Sequence, residues 1–197
     1  LRDTVNNIWS IILLFLQKSK LTVAKRNEIG ELPKFFDRYI VLNDEDADLL
    51  ESLEKFSPEN IFSEIKTLNA IGEKVYAPGK WSVKDILQHC IDTERVMAFR
   101  ALAFSRGDEN HLPGFDEETY AQHTIAINRT IEDLIAEFTW VRKSTVALFK
   151  NMDKMMLLRK GNANNTLISP LALGFVIVGH PRHHFNVIKD RYFSLAQ

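Results

Sequence analysis

The sequence predicts an all-α chain arranged as a four-helix bundle, with an extra N-terminal helical or poorly ordered extension. Three observations carry this expectation. Apolar residues recur at three- and four-residue spacing in four separate stretches, and most of these open on a helix-starting signal. No strand-like alternation, hairpin signal, internal repeat or low-complexity tract interrupts them. Helices of this kind bury their stripes against one another, which favours an up-and-down type of bundle.

The elements follow in order. Residues 1–42 differ in texture from the rest and hold no clear helical register after Gln17. In NDEDADLLESLEKF, Asn43 is the expected cap, with Asp44, Glu45 and Asp46 in a first turn that favours negative charge. Leu49, Leu50, Leu53 and Phe56 form its stripe. Ser57 and Pro58 then read as N-cap and first helical residue of PENIFSEIKTLNAIGEKVY, and APGK at 77–80 breaks the chain. Ser82 and Asp85 form a capping box for a helix carrying Ile86, Cys90, Thr93, Met97 and Arg100, with Gly107 at its exit. The long loop GDENHLPGFDEETYAQHTIAIN is of a length that usually covers or builds something. Thr130 and Asp133 make a second box for the helix with Ile131, Leu134, Ile135, Phe138 and Val141 on one face. RKGNANNT reads as a polar linker, and Ser169–Pro170 starts a last helix running nearly to the end. The domain division expected is 1–42 for the extension and 43–197 for the bundle.

Composition narrows the function. At 197 residues the chain holds one ordinary domain and an appendage. Its 25 basic and 26 acidic residues are well mixed, so no basic field invites nucleic acid. A lone cysteine, Cys90, excludes an internal disulfide and fits a reducing compartment. The sequence starts at Leu1, as a fragment, a processed product or an unusual start would. The apolar run IWSIILLFL is far shorter than the roughly 20 residues of a membrane span. Arg2 is offset by Asp3 and no small-residue cleavage site follows cleanly, so an extra helix or loose extension is favoured over a secretory signal. Cytoplasmic localisation is the default expectation, with no membrane partner. No nucleophile elbow, phosphate-binding glycine loop or CxxC pair is present.

The histidines carry the chemistry. In GHPRHHFNVIKDRY, His180 and His184 are four residues apart, one helical turn, so both imidazoles can address one point. Their stripe continues through Leu173, Val176, Ile177, Val187 and Ile188, the inward face, with His183 at its edge. H-x-x-x-H alone is a weak signal. His89, bordering the inward face of another helix, changes its weight: three buried imidazoles without a common partner would be a costly set. A transition metal in the bundle core is the reading favoured over neutral core histidines. It requires the helix to continue, kinked, through Pro181. Cys90 points roughly 100° away from His89 and reads as a buried core thiol. His111 and His123 are expected to face solvent. Arg100 leaves two readings open, a side chain snorkelling to the rim or an anion contact above the site, and Arg142 shares the ambiguity. Asp92, one turn from His89, reads more readily as a solvated charge than as a partner of the imidazole.

With these residues in hand, the chain resembles the DinB / YfiT-like superfamily of small metal-dependent proteins, which is distinct from the lesion-bypass polymerase sharing the DinB name. The resemblance runs from about Tyr39 to Tyr192. It is carried by YAPGKWSVKDILQHCIDTERVMAFRALAFSRGD, LPGFDEETY, EFTWVRKSTVALF and GFVIVGHPRHHFNVIKDRY. The family pattern of one histidine on the second helix and H-x-x-x-H on the fourth falls on His89, His180 and His184. What the resemblance implies is a four-helix bundle holding a divalent metal, zinc or nickel, on those three histidines with open positions. The implied activity is that of a metal-dependent hydrolase or a thiol S-transferase using a low-molecular-weight thiol. The alternative is a non-catalytic metal- or ligand-binding module linked to stress. Asp92, Arg100, Tyr120 and Arg142 are the candidates for contacts around the ion or with a small-molecule substrate. A homodimer is also among the expectations.

Overall fold

The structure, a computed structural model, describes residues 22–197. The apolar run at 8–16, expected to form an extra helix or a loose extension, lies outside these residues. A 3-10 turn at Arg26–Ile29 and a short helix α1 (Asp37–Ile40) come first. Ile29, Phe36 and Ile40 are buried in the same core cluster as Val176 and Ile177 of the last helix. The first rod of the bundle is broken into three pieces, α2 (Leu49–Lys55), α3 (Pro58–Ile61) and α4 (Ile65–Ile71). The second is α5 (Val83–Ser105). After it comes the long connection, with a short helix α6 (Glu117–Gln122) and a 3-10 turn at Ala126–Asn128. The third rod is α7 (Ile131–Lys150), followed by the short α8 (Lys154–Leu158). A two-stranded hairpin, β1 (Gly161–Ala163) and β2 (Thr166–Ile168), leads into the fourth rod, α9 (Pro170–Arg191).

Local signals explain most starts. Ser82 and Asp85 cap each other's backbone reciprocally, Ser57 and Ser169 precede a proline in the first turn, and Thr130 accepts the Asp133 N–H. The box at Thr130 is only half formed, because the Asp133 carboxylate is engaged by Arg129. Asn43 is not the cap of α2. It is buried and donates its side-chain amide to the carbonyls of Tyr39, Ile40 and Phe175, tying the end of α1 to α9. The cap is Asp48, whose carboxylate accepts the Glu51 and Ala24 N–H groups. The run PENIFSEIKTLNAIGEKVY is not one helix but two, interrupted at Phe62–Glu64.

Two expectations about topology are corrected. RKGNANNT is not a plain linker. Asn164 and Asn165 both take positive φ, 51° and 61°, the conformation of a type I′ turn, and so join β1 to β2. The bundle is not up-and-down either. Lys84 reaches the Ile127 carbonyl, Gln88 meets Arg129, and Arg95 pairs with Glu137, so α5 and α7 advance in the same direction. Asn69 to Glu132 and Lys150 to Glu54 run the other way, placing the first rod antiparallel to α7. Tyr192 bonds the Trp81 carbonyl while a Cβ on Gly161 would strike the Phe104 ring, so α9 is antiparallel to α5. The long connection at 106–130 is therefore the crossover that two parallel rods require.

Candidate metal centre

The α5 stripe and the α9 stripe face each other, and the residues that meet at their contact include His89, His180 and His184. The capping box fixes where α5 begins, which sets the phase that turns His89 inward. On α9 the phase survives Pro181, because the helix runs unbroken from Pro170 to Arg191. Proline has no N–H for the Ile177 carbonyl, and Arg142 Nη2 supplies a donor at 3.2 Å instead. Gly179 is equally constrained. The Tyr39 carbonyl passes 2.0 Å from where a Cβ would stand, so only glycine lets α1 pack there.

The three histidines converge. Nε2 of His180 lies 3.1 Å from Nε2 of His89 and 3.1 Å from Nε2 of His184. One ligand nitrogen from each falls within 4.8 Å of the others. Burial pushes His89 down to about 4. Burial, then the neighbouring His89 and His183, pushes His184 down to about 3. His180 lies well below its ordinary value for the same reasons, burial first. All three rings are neutral at neutral pH.

Hydrogen bonding alone cannot account for this cluster. A neutral Nε2 carries either one hydrogen or one lone pair, so His180 can make one good bond but not two at the same atom. Nitrogens about 2.0–2.1 Å from a common ion stand roughly 2.9–3.4 Å apart, depending on coordination geometry. The two 3.1 Å spacings, from His180 to His89 and to His184, fall in that range, and three neutral imidazoles form a donor set suited to a divalent transition metal.

Neighbours the sequence did not flag enclose the cluster. Trp81 stacks near His89 with ring centroids 4.9 Å apart, and Tyr39 stands edge-on to both His180 and His183. Glu118 on α6 accepts the Trp81 indole N–H at 3.2 Å. A cavity of about 200 Å³ opens against His183 and His184, with Trp81, Glu118, Val187 and Tyr192 among its walls. Periodicity gave no hint of either: Trp81 lies just before the cap of α5, and Glu118 sits in the first turn of α6, a helix of six residues that is too short to show a repeat.

The other candidates sit elsewhere. Asp92 accepts from Gln88 and lies 3.6 Å from Arg95, on the flank toward α7. Tyr120 is exposed and packs on Phe115. Arg142 is buried with every N–H used: on Glu94, on the Leu53 and Phe56 carbonyls, and on Ile177. Glu94, its partner, was missed although it falls four residues after Cys90 on the inward stripe. Arg100 is 3% exposed and does not snorkel to the rim. Cys90 is a buried thiol, its pKa raised by burial, and His111 and His123 are exposed, all as expected.

The DinB superfamily model matches residues 42–188. The chain belongs to this superfamily. Among solved structures, one similar chain is YfiT from Bacillus subtilis, described as a probable metal-dependent hydrolase with an unusual four-helix bundle topology. It aligns with a TM-score of 0.62 at 14% identity, over 72% of this chain and 82% of YfiT. The likeness establishes a shared DinB-type fold. No curated protein matches the chain. Among the described residues no helix is long and apolar enough to cross a membrane.

Proposed function

We propose that this DinB superfamily member is a divalent-metal-dependent enzyme of hydrolase-like chemistry, with His89, His180 and His184 holding zinc or nickel. The observation that carries the reading is the meeting of three neutral imidazoles from two helices, with the Nε2 atoms of His89 and His184 each 3.1 Å from that of His180. Held by these three uncharged ligands, such an ion would supply Lewis acidity toward a water or thiol. The chain's own residues do the rest. Trp81 and Tyr39 shield the imidazoles, fixing their orientation and excluding bulk water. Glu118 holds a carboxylate at the mouth, where it can accept a proton from an incoming molecule. Val187 and Tyr192 give a small substrate an apolar wall. The description of YfiT supports the hydrolase branch; a thiol S-transferase using a low-molecular-weight thiol would employ the same ligands.

The test is turnover. Protein stripped with a chelator and reloaded with zinc or nickel is screened against ester and amide substrates, and against thiols paired with electrophiles. The expected result is turnover that depends on the metal and is absent from His184→Gln. Hydrolysis without added thiol selects the hydrolase. Bound metal with no turnover on any substrate overturns the enzymatic reading and leaves a binding module.

A further inference from the structure

Arg100 stands three turns beyond His89 on α5. Eleven residues return a side chain to within about 20° of the same face, about 16 Å further along the axis. The guanidinium is buried, yet no carboxylate lies within ion-pair distance of it among the described residues. Nη2 donates to the Pro113 carbonyl at 2.8 Å and Nη1 only approaches the Met97 sulfur, at 3.7 Å. Arg142, equally buried, shows the contrast, with a carboxylate and a full set of acceptors. A buried cation without a counter-ion is destabilising, and burial alone depresses the Arg100 pKa.

Arg100 lines a cavity of about 350 Å³. Phe35, Phe36 and Phe115 wall it, and Asn164 of the hairpin turn adds an amide. Phe35 is held there at φ 74°, a left-handed conformation unusual for an aromatic residue, and remains 56% exposed. Three carboxylates also lie on the rim. Asp116 is occupied by the Glu118 and Thr119 N–H groups and the Thr119 hydroxyl, and Glu118 by the Trp81 indole. Glu117 has no hydrogen-bond partner among the described residues, and the neutral donors on the other two leave their charges in place, so the three carboxylates together disfavour a second negative charge beside Arg100. Glu118 lines this cavity and also the one against His184.

We propose that the Arg100 cavity is a carboxylate subsite: it takes the single acidic group of a small molecule with an aromatic or apolar body. The reacting end of that molecule lies at the histidine cluster. Only this last clause rests on the proposed function; anion binding at Arg100 stands without a metal.

The experiment titrates benzoate, benzamide and inorganic phosphate into chelator-stripped protein by calorimetry, so that no ion can hold the anion. Benzoate is expected to bind saturably, with benzamide and phosphate about tenfold weaker or more, the worth of one charge-assisted contact. Arg100→Gln is expected to remove this preference. Asn164→Asp, which leaves Arg100 in place, weakens benzoate several-fold by like charge and serves if the first variant does not fold. Because every titration uses metal-free protein, binding here is read apart from the metal. Equal affinity for benzoate and benzamide, or benzoate binding unchanged in the Arg100 or Asn164 variant, overturns the proposal. Where turnover is found, Arg100→Gln raises KM for carboxylate substrates and not for their amides.

Discussion

At the scale of single residues, the pair Glu94–Arg142 decides how α9 carries its histidines past a proline. The guanidinium bridges α5, the end of α2, the loop after it and the Ile177 carbonyl left open by Pro181. With side-chain exposures of 3% and 2%, neither charge has water to fall back on. Arg142→Met strands the carboxylate and the Ile177 carbonyl, and should cost about 3–5 kcal/mol in urea unfolding. Adding Glu94→Gln should recover part of that loss, since the stranded charge goes with it. A change under about 1 kcal/mol in the single variant would show that the pair is not the support described.

At the scale of elements, caps are the features most open to testing. The Ser82–Asp85 box sets the start of α5 and thereby the phase of His89. Ser82→Ala should destabilise by about 1 kcal/mol on thermal or urea unfolding. Such signals were legible because they are local: Ser82 with Asp85, Ser57 with Pro58, Ser169 with Pro170. The paired imidazoles of α9 were legible for the same reason, being one turn apart on one helix. Asn43 misled because a short polar residue before an acidic run looks like a cap, whereas a carbonyl 132 residues away recruits it instead. The Asn164–Asn165 hairpin was missed because strands of three residues are too short to show alternation. Trp81 and Tyr39 reach the histidines, and Glu118 reaches Trp81, only through tertiary packing, which no periodicity records.

At the scale of the whole molecule, the parallel pairing of α5 and α7 was invisible in sequence, since helix direction is fixed by contacts such as Arg95–Glu137 and not by either helix alone. The long connection was the one hint, and its crossover role became evident only from those pairs. An ion at the histidines would fasten α5 to α9, two rods far apart in sequence, and would bind the folded chain alone. Free zinc at about 100 times its Kd should therefore raise unfolding stability by about 2.7 kcal/mol. His184→Gln should show no comparable gain, and an equal gain in both proteins would place the ion elsewhere. The central claim is the shared ligation of one cation by His89, His180 and His184. Elemental mass spectrometry of untagged protein, beside His89→Ala and His184→Gln, tests it most directly. The account predicts close to one divalent ion per chain in the wild type and almost none in either variant. Folded wild-type protein that takes up no metal, or variants that keep it in full, would contradict it.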